Sequence, residues 1–358
     1  MTDAPPPSGS SPAPGPASAP LIQPLASPGR PPAGQKPRRV GVLAVLALMF
    51  LGLSLVGNAV LVVALIAMTD FMGGGYAEDA YLEHVVEKGP SSRKIAVIRI
   101  EGIIDESLAR SLRMQMQRAA RDSTVKAVIL RIDSPGGGLT ASDMIHHDVQ
   151  TILADKPVVA AMDAVAASGG YYVACAADQI VAQQTTVTGS IGVIAEFFFL
   201  SGLLKDKLGV QIVTLKMGDQ KDWPNMFAAD MPPEQRQYMM DTLLKPGYDK
   251  FVDTVAASRE MKRDAVLRLA TGRIFMAAEA KKHGLIDEVG YFDRAIAIAK
   301  DRAGIAEARV VEYVLPLRIF DILGVSAKQS ALLDLLDLRP ERLAGLASPR
   351  VMYLWTGN

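Results

Sequence analysis

The chain has a single cysteine, Cys175, among 358 residues. That excludes an intramolecular disulfide and any zinc site built on paired thiolates, and its place in an apolar Ala-rich run makes it a small core residue. Histidine is also scarce, with only His84, His146, His147 and His283. His84 and His283 read as surface residues. The adjacent pair His146-His147 points in two directions on one helix, so it builds no metal site, and at most one of the two can reach a neighbouring serine. Net charge is missing as well, since 38 basic residues balance 38 acidic ones. Nothing here attracts a nucleic acid. The one Gly-rich loop after a strand is not followed by Gly-Lys-Ser/Thr, so it is not a phosphate loop, and no cofactor motif is present.

Charge is entirely absent between residues 40 and 68, where only Ser54, Asn58 and three glycines interrupt the apolar run. This exceeds the roughly 20 residues a bilayer requires and predicts a transmembrane helix. A cleaved signal peptide has an apolar core of only about 7 to 15 residues and a shorter leader. Residues 1–39 are mostly Pro, Ala, Ser and Gly with Arg30, Lys36, Arg38 and Arg39 at their end, the composition of a disordered arm. Asp70, Glu78, Asp79 and Glu83 follow the apolar run, so the basic arm faces the cytoplasm and the remainder lies outside. Residues 69–92 read as a linker with a stalk helix near 80–87. A domain over 93–315 follows, then a tail, 316–358, too apolar for free solvation, which should pack on its own domain, a neighbouring subunit or the membrane.

From residue 93, β-branched runs at 95–100, 127–132 and 158–162 alternate with helical stretches, which predicts an α/β domain with parallel strands. Further strands are expected at 179–182 and 210–215, and the second half, from Pro233, is mostly helical. The strand 127–132 runs into Asp133-Ser134-Pro135-Gly136-Gly137-Gly138, a Gly-rich loop able to offer backbone N–H groups to a ligand. The strand 158–162 delivers Ala166-Ala167-Ser168-Gly169-Gly170. Small neighbours open the approach to the Ser168 hydroxyl, and the helix starting there aims unpaired N–H groups at a developing anion. Ser168 therefore reads as a nucleophile or, alternatively, as a simple helix cap. A nucleophile needs a base. A lysine can serve when desolvation favours its uncharged form, and Lys221 sits between Met217, Trp223 and Met226; an ordinary solvated lysine is the other reading.

Taken in order, Arg131-Ile132-Asp133-Ser134-Pro135-Gly136-Gly137, Ala166 to Tyr172, Thr188-Gly189-Ser190-Ile191-Gly192-Val193, Lys216-Met217-Gly218-Asp219-Gln220-Lys221-Asp222, and Thr271-Gly272-Arg273-Ile274-Phe275 through Asp287 strongly resemble the signal peptide peptidase A family. These are bacterial membrane-anchored Ser-Lys peptidases. The resemblance implies a ClpP/crotonase-like fold of repeated ββα units behind one transmembrane helix. It implies Ser168 as nucleophile, Lys221 as general base, Ser190 as the hydroxyl orienting the lysine amine, and Gly136 and Gly137 as the oxyanion hole. Lys216 aligns with a basic position that is not catalytic. One set of motifs matches the family's short form, in which a homo-oligomeric ring brings Ser168 and Lys221 together from neighbouring protomers. The implied role is hydrolysis of cleaved signal peptides and similar apolar peptides at the bacterial inner membrane, with the catalytic domain on the extracytoplasmic side; quality control of membrane proteins suits the same residues. A crotonase-type acyl-CoA enzyme would want a carboxylate pair near these loops, and none is apparent. A non-catalytic scaffold on the same fold is the alternative from another class.

Overall fold

The computed structural model describes residues 41–72, 81–315 and 351–356. The expected arm, 1–39, and most of the apolar tail, 316–350, lie outside them. Two units are separate in the chain, Met1–Gly73 and Gly74–Asn358. In the first, helix α1 (Val42–Met72) holds 31 residues. At 1.5 Å per residue it is about 46 Å long, more than a hydrocarbon core needs. Its stretch Ala44–Val62 is long and apolar enough to cross a membrane, with none of it buried in the chain.

The second unit begins with β1 (Leu82–Glu87), β2 (Lys94–Ile104), α2 (Glu106–Arg121), β3 (Val125–Gly138), α3 (Leu139–Ile152), β4 (Val158–Ala167) and α4 (Gly169–Ala174). Short strands β5 (Gln179–Ala182), β6 (Val187–Gly189) and β7 (Ile194–Ala195) follow. After a π-helical turn, Leu203–Lys207, come α5 (Pro233–Met239), a second π-turn and α6 (Lys245–Ser258). The unit continues through α7 (Arg263–Leu269), β8 (Ile274–Met276), α8 (Ala277–Lys282), β9 (Glu288–Val289), α9 (Phe292–Arg302), β10 (Arg309–Val314) and β11 (Val351–Leu354).

The main sheet runs β1-β10-β2-β3-β4-β5-β9, parallel except where β1 pairs antiparallel with β10. Strands buried on both faces must be apolar throughout, which is why the runs in β2, β3 and β4 show little polar alternation. Ile98, Ile100, Leu130, Ile132 and Met162 pack with Leu112 and Met116 of α2, Ile145 of α3, Tyr171 and Tyr172 of α4, and Phe251 of α6. Ile95, Val97, Ile129 and Val159 pack instead with Ala295, Ile296 and Ala299 of α9. Helix α2 has its apolar residues Ala109, Leu112, Met116 and Ala119 at helical spacing and starts where the Asp105 carboxylate accepts the Leu108 N–H at 2.8 Å.

Two expectations are corrected. The stretch expected as a stalk helix is β1, an edge strand whose register matches Leu82 with Val314 and Val85 with Val311. Its Val85-Val86 pair suits a strand, and β10 offers an open edge to receive it. The strand expected at 210–215 is absent, because these β-branched residues have no neighbouring strand edge among the described residues. Val213 and Leu215 are 80% and 92% exposed.

Among the ion pairs that tie the helical second half to the sheet, one is largely buried. Arg259 donates to both carboxylate oxygens of Asp287, at 2.6 and 3.0 Å, and to the Gly284 carbonyl at 2.9 Å. Asp287 also accepts the Ile180 N–H at the start of β5, and beside it the buried Tyr171 hydroxyl donates to the Leu285 carbonyl. Asp287→Ala leaves a nine-tenths buried guanidinium without its counter-charge. The expected loss is about 3 kcal/mol of unfolding free energy, read from the denaturant midpoint; a loss below about 1 kcal/mol would contradict this account.

Candidate active site

Strands β4 and β6 are parallel neighbours, and their register sets Ala167 opposite Gly189. The next residues of the two strands are Ser168 and Ser190, which therefore leave the sheet side by side. Both turn through backbone angles that side chains rarely adopt, with φ of 51° at Ser168 and 50° at Ser190. Such strain costs of order 1–3 kcal/mol per residue and persists only where surroundings fix it. Here they do. The Ser168 N–H donates to the Gly189 carbonyl and the Ser190 N–H to the Arg273 carbonyl, each at 2.8 Å.

Ser168 occupies the N-cap position of α4, yet its hydroxyl makes no capping hydrogen bond. The simple-cap reading thus finds no support. Only 1% of Ser168 and 7% of Ser190 is exposed, but both line a cavity of about 760 Å³ with Tyr248, Thr271, Arg273 and Trp355. None of the four histidines lines it. His146 is buried behind Tyr172 with ring centroids 5.0 Å apart, and desolvation, the largest influence on it, pushes its imidazole down to about 4. His147 is exposed, which leaves the Ser-His alternative without geometry.

The Gly-rich end of β3 lies against the start of α4. A methyl group on Gly136, whose φ is 101°, would sit 2.6 Å from the Gly169 nitrogen, and one on Gly169 would sit 3.1 Å from the Gly137 nitrogen. Only glycine allows this approach. The Gly136 N–H is engaged, donating to the Ser134 hydroxyl at 3.1 Å, while Ser134 donates to the Gly102 carbonyl. Of the expected oxyanion pair, Gly137 is the member whose amide nitrogen lies close to Gly169.

The two candidate lysines differ. Lys216 is held by Asp222 at 2.6 Å and by the Asp219 carbonyl at 2.7 Å, and its hydrogen bond keeps the Asp222 carboxyl below the ordinary carboxylate range. Lys221 is exposed, its ammonium makes no hydrogen bond or ion pair among the described residues, and it is not part of the cavity lining. The structure brings Ser168, Ser190 and Gly137 together and leaves Lys221 on an exposed loop. Among the described residues no group of three His, Cys, Asp or Glu could hold a metal ion.

Sequence reasoning missed what fills the groove. Strand β11 lies antiparallel to the glycines, Met352 opposite Gly138, Tyr353 opposite Gly137 and Leu354 opposite Gly136, with its other edge on β7. The Tyr353 ring is fully buried against Tyr172 and Phe251, and its hydroxyl donates to the Gly247 carbonyl at 2.6 Å. The apolar run at 352–355 signalled packing, and of the three sites open to it, it takes its own domain.

A buried serine on a strained turn, beside a glycine loop and an added strand, is an arrangement compatible with a hydrolase of the serine peptidase class. Residues 151–306 match the profile of peptidase family S49, and residues 90–187 match that of Clp protease. A putative signal peptide peptidase SppA of Enterococcus faecium is 35% identical over 250 residues, covering 66% of this chain and 72% of the relative. The chloroplastic serine protease SPPA of Arabidopsis thaliana is 39% identical over 61% of this chain, which spans 31% of that longer protein. A solved ClpP1 mutant of Listeria monocytogenes aligns with 56% of this chain and 94% of its own, at a TM-score of 0.37 and 17% identity. The chain belongs to peptidase family S49, the signal peptide peptidase A family, and is a serine peptidase on a ClpP-like α/β fold.

Gly136→Ala should disrupt this site twice over, through the positive φ and through a methyl placed 2.1 Å from the Tyr353 carbonyl oxygen. Peptide hydrolysis should fall by a factor on the order of 10² or more. Retention of wild-type turnover in a steady-state peptide assay would show that the glycine loop does not shape the site.

Proposed function

We propose that this protein is a membrane-anchored endopeptidase that hydrolyses extended apolar peptides, cleaved signal peptides among them, with a Ser-Lys dyad completed between protomers. One observation carries the reading. The chain's own residues 351–354 lie in the groove as an added antiparallel strand, with Tyr353 opposite Gly137 and its carbonyl oxygen beside the loop that approaches Gly169. A substrate bound the same way gains main-chain hydrogen bonds from β3 and β7 and places alternate side chains in pockets. The pocket holding Tyr353 accepts an aromatic or large apolar residue, which suits a hydrophobic peptide.

In the proposed reaction the uncharged amine of Lys221 takes the Ser168 proton as the Oγ attacks the substrate carbonyl carbon. The N–H groups of Gly137 and Gly169 receive the oxyanion, and Ser190 orients the amine. The tetrahedral intermediate collapses as the lysine ammonium returns the proton to the leaving amine, giving an acyl-enzyme. Water, deprotonated by Lys221, then attacks the ester and releases the acid and free Ser168.

Lys221 comes from a second protomer in this reading. Its loop is exposed within one chain, with Met217 94% and Leu215 92% exposed, and so is free to cover an adjacent groove. A homo-oligomeric ring repeats that contact around its circumference. Insertion of α1 in the bacterial inner membrane, arm inward, would hold the catalytic unit on the outer side, where spent signal peptides are within reach.

Ser168→Ala and Lys221→Ala should each reduce peptide cleavage by about 10⁴-fold or more. Disassembled and reassembled together in equal amounts, the two inactive variants should recover about a quarter of wild-type activity, because some interfaces then join an intact serine to an intact lysine. A mixture as inactive as its components would place both groups in one chain, and an active Lys221→Ala would remove the dyad altogether.

A further inference from the structure

Asn58 is out of place in the most apolar part of the chain. It lies within the stretch Ala44–Val62, whose mean hydropathy is 2.4. Its amide Nδ2 donates to the Ser54 carbonyl at 2.8 Å and to the Ser54 hydroxyl at 3.3 Å, one turn earlier on the same face. Both bonds stay within one turn of the helix, and the Oδ1 acceptor has no partner among the described residues. In water this would be of no consequence, but hydrocarbon offers nothing to a carboxamide, so polar side chains there turn toward protein.

The face carrying Asn58 is continuous. Leu51, Ser54, Leu55, Asn58, Ala59 and Val62 line a shallow groove along the helix. Leu51, Leu55, Asn58 and Val62 are spaced four, three and four residues apart, the 3.5-residue repeat of two helices that pack in a left-handed pair. Asn58 sits within that seam, and the small Ser54 and Ala59 beside it allow close approach.

We infer that α1 associates with α1 of a second copy of this chain through the Leu51–Leu55–Asn58–Val62 seam, the two Asn58 carboxamides bonding each other across it. A carboxamide is its own complement: the unpartnered Oδ1 of each accepts from the Nδ2 of the other, with no second residue type required. That self-complementarity selects a second copy over a different membrane protein, and it gives the membrane segment a part in assembly. The inference rests on the reading of α1 as a membrane anchor.

The test uses the full chain in native membranes, where Cys175 is buried and stays out of the chemistry. Leu55→Cys places a thiol in the seam and Leu53→Cys places one on the opposite face. Under a mild oxidant, Leu55→Cys should cross-link to a dimer and Leu53→Cys should not. Adding Asn58→Val should lower the Leu55→Cys yield by about threefold to thirtyfold, and adding Asn58→Gln, which keeps the amide, should lower it less. Equal cross-linking from both faces, or a yield unmoved by Asn58→Val, would overturn the pairing. Alkaline carbonate extraction of the same membranes separates the two readings. Release of the chain overturns the anchor and the pairing with it, whereas retention without face-selective cross-linking overturns the pairing alone.

Discussion

The register between β4 and β6 is the constraint on which the rest of the site depends. Setting Ala167 opposite Gly189 fixes Ser168 and Ser190 at adjacent strand ends, and the two 2.8 Å backbone bonds that follow hold both serines at positive φ. A slip of one residue would send each side chain to the opposite face. The burial of β4 on both sides prevents that slip, so the packing of Met162, Ala160 and Val159 into two core layers is what keeps a strained serine in place. The glycine loop depends on the same frame, because Gly136 approaches Gly169 only while Ser168 turns the chain at that point.

The groove follows from the end of β3. β4 pairs with β3 as far as Ala166 opposite Ser134 and then turns away at Ser168. Because Ile103 and Ile104 of β2 hold the other edge of Gly136 and Gly137, the edge that β4 vacates takes an extended strand, Tyr353 and its neighbours, beside Ser168. In the single chain that edge is occupied by residues 351–354. The loop around Lys221 and the apolar residues preceding it have the opposite character, being exposed among the described residues. That Lys221 is exposed and does not line the cavity of Ser168 and Ser190 is the physical support for the proposal that the site is shared.

Much of this was legible in the sequence because it is locally encoded. The runs in β2, β3 and β4 declare buried parallel strands, and the glycines at 136, 137 and 169 mark a close backbone approach. The order of five motifs pointed to the family before any geometry was known. What stayed hidden depends on distant partners. Leu82 to Glu87 reads locally as a stalk helix and is a strand because β10, more than 200 residues later, offers its edge. Residues 210–215 carry β-branched side chains but, among the described residues, have no edge to join. The run at 352–355 announced burial, and its destination at Gly137 lies beyond any local signal. The resemblance set Lys221 apart from Lys216 by place in the motif, and the bonds of Lys216 to Asp222 and to the Asp219 carbonyl add a physical difference that no local signal carried.

The central claim is that the strained serine at the end of β4 is the nucleophile. It is tested most directly by treating the protein with a peptidyl aryl phosphonate and mapping the adduct by mass spectrometry. The account predicts one phosphonylated residue, Ser168, with Ser190 unmodified and the adduct absent from Ser168→Ala. An adduct on Ser190 or another serine, or none on a protein that is cleaving peptides, would contradict it.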